Sequence, residues 1–344
     1  MSEFQLPVFF VFILSAVLSF ILNKFSLKLR NTNKEREGLN EIRLSKLKIP
    51  TYGGISMSLA FLISTRLLGK ADYEIEQIAI FSVFITLIGF FDDKFNLNWK
   101  LKLLLQVLAI STPILILGIY LNIEVLLGVN FNNGLNLVAT IFWIVLLVNS
   151  LNFLDNMDGL AATTGTMIAI SLAILSYISN QYKLTDISLV LMASMLGFLY
   201  FNLPNAKLYM GDSGSLFIGY CLGFISILFS WSSNLESSWV FQIQPVILFF
   251  TIPVLDFSTV FISRIKEGKS PMTGGTDHIS HRLLNKGFNT DQVLIIFVFM
   301  SILILIITMG IIFLNQTASF LLLILYFLLV ILSLMYFLKL DPLN

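Results

Sequence analysis

Thiols are almost absent from the 344-residue sequence: its single cysteine, Cys221, lies inside an apolar run, so there is neither a disulfide framework nor a thiolate metal site. Histidine is nearly as scarce. Both copies, His278 and His281, fall in one loop, and two imidazoles without thiolates make a poor zinc site, which needs three or four nitrogen, sulfur or acid ligands. Charge is the third shortage. Only 12% of the residues are charged and 57% are hydrophobic, with a mean hydropathy of +0.88, whereas soluble chains are roughly a quarter charged. The chain is therefore read as a membrane protein with no nucleic-acid partner expected, and its net charge of +1 says little beside where the basic residues fall.

What the sequence has in abundance is long apolar runs. They begin near Leu6, Tyr52, Ile78, Leu103, Leu137, Thr166, Ile187, Leu216, Val240, Val293 and Ala318, and a full crossing takes about 20 residues. The expected fold is all-α: one polytopic domain over residues 1–344 with about eleven transmembrane helices. The first run follows Glu3 rather than a basic segment and ends at Asn23-Lys24 without a small-residue cleavage site, which reads as a retained span rather than a signal peptide. The run from Ile78 to Phe91 spans only about 21 Å as a helix, less than the hydrocarbon core, which would leave Asp92 and Asp93 in a recess.

Alternate loops differ sharply in basic residues. Segments 23–50, 92–102, 152–165, 202–215, 263–292 and the C-terminal tail hold all but Arg66, Lys70 and Lys183 of the 21 Lys and Arg residues. The bias puts that set of loops and the C-terminus in the cytoplasm and the N-terminus outside. Asp92, Asp93, Asp155, Asp158, Asp212 and Asp277 all fall on the same side, and acids at the membrane surface need a cation or a function to offset their cost.

Four segments carry candidate chemistry. Asp92-Asp93-Lys94, with Lys100 and Lys102 just beyond, sets paired acids opposite bases, a pattern suited to phosphate and metal; the alternative is plain span-terminating charge. Asn149, Asn152, Asp155 and Asp158 recur at intervals of three, which on a helix drifts only slowly around one face and offers oxygen ligands to a hard cation; an ordinary turn at Asn156-Met157-Asp158-Gly159 is the other reading. Gly211-Asp212-Ser213-Gly214-Ser215 opens an apolar helix, where Asp212 can bind a cation or cap the helix. Finally, Asp277-His278-Ile279-Ser280-His281-Arg282 offers protonatable imidazoles and a guanidinium to phosphate, although the basic run before it also serves as a membrane anchor. Asp256, deep in the preceding span, marks either a substrate groove or a structural contact.

Taken in order, these blocks, together with Lys46-Leu47-Lys48-Ile49-Pro50-Thr51-Tyr52-Gly53-Gly54, resemble the polyprenyl-phosphate N-acetylhexosamine-1-phosphate transferases of glycosyltransferase family 4, which include phospho-N-acetylmuramoyl-pentapeptide transferase. The resemblance covers about Lys46 to Arg282. It implies a bacterial inner-membrane enzyme that joins a UDP-sugar to undecaprenyl or another polyprenyl phosphate, releases UMP and initiates cell-envelope glycan synthesis. By position, it implies Asp212 as the principal Mg²⁺ ligand with Asn152 beside it, Mn²⁺ being an alternative ion. Asp92 or Asp93 becomes the base for the lipid phosphate, and Asp158 lies near the nucleotide, with Asp155 also catalytic. Lys102, His278, His281 and Arg282 become the pyrophosphate clamp, and Lys46 and Asn149 join the substrate-binding set. A homodimer is among the expected partners. The family commonly shows His-x-His-His where this chain has Ser280 in place of one imidazole. The His-x-x-His-Arg-Leu loop points to the N-acetylhexosamine branch rather than the muramoyl-pentapeptide branch. A secondary transporter is the competing class, disfavoured because no motif repeats between the halves and the polar residues gather at span ends instead of the midplane.

Overall fold

A computed structural model describes residues 5–29, 49–68, 73–121, 133–229, 245–271 and 274–342. Among these residues the secondary structure is entirely helical: α1 (Gln5–Leu29), α2 (Gly53–Leu67), α3 (Tyr73–Phe95), α4 (Trp99–Leu117), α5 (Asn133–Leu154), α6 (Leu160–Ile178), α7 (Tyr182–Asn202), α8 (Gly211–Leu228), a 3₁₀ turn at Pro245–Phe250 leading into α9 (Thr251–Lys266), the short α10 (Ile279–Asn285), α11 (Thr290–Phe313) and α12 (Gln316–Lys339). Local signals set several of these boundaries. The side chains of Asn98, Asn289 and Asn315 cap α4, α11 and α12, and Asn289 forms a reciprocal capping box with Gln292.

Each of the eleven apolar runs contains a helix among the described residues, but only ten of these helices are long and apolar enough to cross a membrane. The eleventh, α2, has 15 residues, about 22 Å of helix against a core of about 30 Å. A second expectation is corrected by α3, which starts at Tyr73 and continues through Asp92 and Asp93 to Phe95. Its 23 residues suffice to span, because Glu74, Glu76 and the acid pair are absorbed into its end turns. The two aspartates therefore sit within the last turn of a full-length helix and not beyond the end of a short one.

Hydropathy and burial run in opposite directions in this bundle. Helix α8 is the most enclosed of the ten spans and the least apolar, whereas α12 is the least enclosed and among the most apolar. A soluble protein would show the reverse. Lipid-facing helices must be apolar all round, while the centre can use small and hydroxylic residues that let backbones approach. Accordingly α8 is ringed by α2, α3, α5 and α6, and its Gly214 and Gly219 lie against the backbone of α2 at Gly54 and of α5 at Leu147 and Val148. Hydroxyls also bond between helices: Ser15 and Ser19 of α1 donate to the carbonyls of Val190 and Ser194 in α7, at 3.1 and 2.7 Å.

The tightest of these approaches fixes the end of the bundle where the acids collect. A side chain at Gly89 of α3 would lie 2.5 Å from the backbone of Asp212, and one at Gly54 would overlap the Gly214 amide. We expect Gly89→Ala and Gly54→Ala to lower the thermal stability of the detergent-solubilised protein by at least about 1–3 kcal/mol, the usual cost of overpacking. Gly310→Ala, which meets only the end of the Leu322 side chain, should be tolerated in the same melting assay.

Candidate functional site

Four helix ends meet at the acid cluster. The last turn of α3 carries Asp92 and Asp93, the first turn of α4 carries Lys102, the last turn of α5 carries Asn152, and the first turn of α8 carries Asp212. The α3–α4 connection is short enough that Asp92 also organises it: its Oδ1 accepts the Leu97 amide at 2.8 Å. Asp92 Oδ2 faces Lys102 Nζ at 2.8 Å, and the same ammonium donates to Asp212 Oδ2 at 2.6 Å and, more weakly, to Asn152 Oδ1 at 3.4 Å. Asn152 completes the ring by donating from Nδ2 to Asp212 Oδ1 and to the Ser215 hydroxyl, both at 2.9 Å.

Asp93 does different work from its neighbour. Its two carboxylate oxygens accept the amides of Asp212 at 3.0 Å and Ser213 at 3.4 Å, the unsatisfied donors at the start of α8. Gly211, at φ +64°, supplies the turn and also the space, since a Cβ there would collide with the Asp93 carboxylate. The extended segment before α2 is fastened beside it, with Tyr209 N donating to Pro50 O at 2.9 Å and Gly53 N to Tyr209 O at 3.1 Å. Lys46, four residues before Pro50, lies outside the described residues.

The three-residue spacing of Asn149, Asn152, Asp155 and Asp158 does not lie on one continuous helix, because α5 ends at Leu154 and residues 155–159 form a turn. Asn149 is spent one turn below the cluster, donating to Gln106 Oε1 of α4 at 2.9 Å and to the Val145 carbonyl at 2.8 Å, so its amide ties α5 to α4 rather than reaching toward a ligand. Asp158 accepts the Ala206 amide at 3.0 Å, holding the 155–159 turn to the loop before α8. Asp155 sits in that turn, half-buried, with its charge felt at Asp93.

The histidine loop packs against the same turn. Ser280 donates to Asn156 Oδ1 at 2.5 Å, and Phe153, next in sequence to Asn152, stacks edge-on against Phe257, with its ring 5.9 Å from that of His278 and 5.6 Å from the Arg264 guanidinium. Arg264 grips Asp277 with two hydrogen bonds of 2.8 and 2.7 Å. Burial pushes the Asp277 carboxyl up, but this paired guanidinium outweighs it and holds the group below the usual carboxylate range. Two members of the expected phosphate clamp are engaged or uncharged in this structure. Arg282 is buried and commits its guanidinium to the carbonyls of Asp277, Phe337 and Leu340 and to the Ser263 hydroxyl. His281 is held down to about 4 by burial and by the adjacent His278, so near neutrality it is an uncharged imidazole. Lys102 is the cation set between the carboxylates of the cluster, and Arg264 packs against Phe153.

Among the described residues no group of three or more His, Cys, Asp and Glu side chains forms a metal-holding cluster. The donor set around Lys102 nevertheless fits a hard cation: oxygens of Asp92, Asp212 and Asn152 converge on the single positive charge of the ammonium. Mg²⁺ characteristically takes one or two protein carboxylates and completes its shell with water and substrate phosphate. Asn156 and Ser215 lie inside blocks that the sequence reading names but were given no role of their own, and Gln106 was not singled out, since only the packing of α4 against α5 brings it to Asn149.

Residues 76–230, which run from the first turn of α3 through α8 and include the whole acid cluster, match the model of "Glycosyl transferase family 4". A probable undecaprenyl-phosphate N-acetylglucosaminyl 1-phosphate transferase of Bacillus subtilis is 29% identical over 245 residues, covering 70% of this chain and 67% of the relative. The undecaprenyl-phosphate alpha-N-acetylglucosaminyl 1-phosphate transferase of Yersinia pestis is 25% identical over 316 residues, 83% of this chain and 78% of its own length. The phospho-N-acetylmuramoyl-pentapeptide-transferase of Rickettsia felis is 35% identical over 254 residues, with 63% and 70% covered. With the acid cluster at one end of an all-helical membrane bundle and these relatives matched over most of their length, the chain belongs to glycosyl transferase family 4, the family of membrane transferases that includes these proteins.

Proposed function

We propose that this protein transfers N-acetylhexosamine 1-phosphate from a UDP-sugar to a polyprenyl phosphate, forming a lipid-linked diphosphosugar and UMP. The observation that carries the reading is the Lys102 ammonium drawn between the Asp92 and Asp212 carboxylates at the end of an apolar bundle. Both reactants are polyanions and one is a lipid, so their meeting place must hold cations at the membrane surface. An oxygen of the lipid phosphate attacks the phosphorus that bears the sugar, and the bond to UMP breaks. The contacts support the following division of roles. Asp92, which faces Lys102 with one oxygen, is the base that keeps the lipid phosphate deprotonated. Lys102 turns onto the donor diphosphate. Asp212 and Asn152 hold Mg²⁺ or Mn²⁺, which when bound offsets charge on the diphosphate. Asp158 and Asp155, in the neighbouring turn, border the nucleotide.

The distribution of basic residues assigns this end of the bundle to the cytoplasm of a bacterial inner membrane, with the N-terminus outside. The names of the Bacillus and Yersinia relatives and the His-x-x-His-Arg-Leu loop favour an N-acetylhexosamine donor over the muramoyl-pentapeptide donor. Membranes containing the protein, supplied with radiolabelled UDP-N-acetylglucosamine and undecaprenyl phosphate, should yield labelled lipid, abolished by EDTA and restored by Mg²⁺. Product only from the muramoyl-pentapeptide nucleotide would reassign the donor, and full turnover in excess chelator would remove the metal from the reading.

The two adjacent acids should separate in mutagenesis. Asp92→Asn should cut turnover by about two to four orders of magnitude, the range for losing a general base, with folding intact and the defect easing at high pH as solvent deprotonates the lipid phosphate. Asp93→Asn should instead lower melting temperature together with activity, because an amide cannot accept both helix amides with charge. Parallel pH–rate and melting curves distinguish the two.

A further expectation concerns acid stability. The folded value of His281, about 4, lies below its ordinary 6.5, so protonation favours the unfolded state. The resulting stability is complete above about pH 6.5 and is lost as pH falls toward 4, on the order of 3 kcal/mol in all. His281→Gln should flatten the decline in melting temperature between pH 7 and pH 4. An unchanged slope would show that other groups dominate it.

A further inference from the structure

Asp256 is a carboxylate with no solvent exposure, set in the middle of α9 among apolar residues. A buried acid of this kind costs several kcal/mol unless its oxygens are fully paired. Both are, and to the same short stretch of chain. Oδ2 lies 2.9 Å from Nδ1 of His278, and Oδ1 accepts the Ile279 amide at 2.7 Å. One carboxylate therefore fixes both the backbone and the ring of the residue that opens α10.

The ring has two distinct nitrogens, and committing one decides the state of the other. With Nδ1 donating its hydrogen to Asp256, Nε2 of His278 is left as the acceptor in the neutral ring or the donor in the charged one. Phe153, which adjoins Asn152 of the acid cluster, packs beside this ring. The other charged or titratable groups around His278 are Asp277 and His281 from its own loop and α10, and Arg264 of α9, which is tied up by Asp277. Asp256 alone among them bonds to the imidazole.

We propose that Asp256 is a positioning residue: it locks His278 with the Nδ1 hydrogen toward α9 so that Nε2 is presented to the diphosphate of the bound donor. The catalytic half of this statement rests on the transferase reading above; the tautomer does not. The chain's two histidines make the tautomer directly measurable. In His281→Gln protein labelled with ¹⁵N-histidine, one imidazole remains, and its nitrogen shifts at alkaline pH should place the hydrogen on Nδ1. In Asp256→Asn, where the new amide accepts Ile279 N–H and donates to the ring, the hydrogen should move to Nε2. The same tautomer in both proteins, or a hydrogen on Nε2 with Asp256 intact, overturns the proposal.

The catalytic half is tested by a double-mutant cycle on product formation. Asp256→Asn and His278→Gln should each lower kcat by about 10–100-fold, the range seen when a partner orienting an imidazole is removed, with KM for polyprenyl phosphate little changed. The double variant should be no slower than His278→Gln alone. Multiplying losses would mean that Asp256 acts on the fold and not through His278, and would reject the positioning role. Should Asp256→Asn fail to fold, Asp256→Glu, which keeps the charge and displaces it by one methylene, enters the same cycle with the same expected outcome. Absence of product from the unsubstituted protein would count against the transferase reading, while the tautomer result would still decide what Asp256 does to the ring.

Discussion

The start of α8 is where the rest of the site is anchored. Its first amides would be unsatisfied donors in a membrane-embedded helix, and Asp93 accepts two of them from α3. That single contact fixes the separation of α3 and α8, and Gly89 and Gly211 exist at positions where a larger residue would hold them apart. With α8 so placed, Asp212 points at Lys102, and Asn152 can reach both Asp212 and Ser215 from α5. The chemistry of the site is thus built on the termination of one helix.

Charge balance explains why the cluster is poised for a ligand. Asp92, Asp93 and Asp212 bring three carboxylates to one small region, and Lys102 brings one ammonium. Helix dipole and amides offset Asp93, leaving the lysine shared by two acids. Shared in this way it cannot neutralise both, and the region keeps an excess of negative charge. Two adjacent acids then divide the work by geometry: neighbours on a helix point about 100° apart, which aims Asp92 at the lysine and Asp93 at the helix end.

Much of this was legible in the sequence. The apolar runs located every major helix because lipid leaves no alternative to satisfying the backbone internally, and the order of the polar blocks brought Asp92, Lys102, Asn152 and Asp212 into consideration together. Their mutual contacts were not legible, since they depend on which helices are neighbours and how closely glycines let them approach. The regular spacing from Asn149 to Asp158 misled for a local reason: Asn-x-x-Asp can ride a helix, yet α5 ends at Leu154 and residues 155–159 form a turn, closed by Gly159 at φ +74° in front of α6. The partners of Arg282 were hidden for the opposite reason. A guanidinium beside histidines looks like a phosphate ligand, but the carbonyls that consume it lie 55 and 58 residues downstream, a pairing that no local pattern encodes.

Those carbonyls belong to the end of α12, the span with the least protein around it. The loop bearing His278 and His281 is therefore tethered, through Arg282, to the helix that feels the lipid most directly. A span so exposed answers to hydrocarbon thickness by tilting, and any tilt displaces the two oxygens to which the loop is tied. The place of that loop thus depends on the angle at which the outermost span sits.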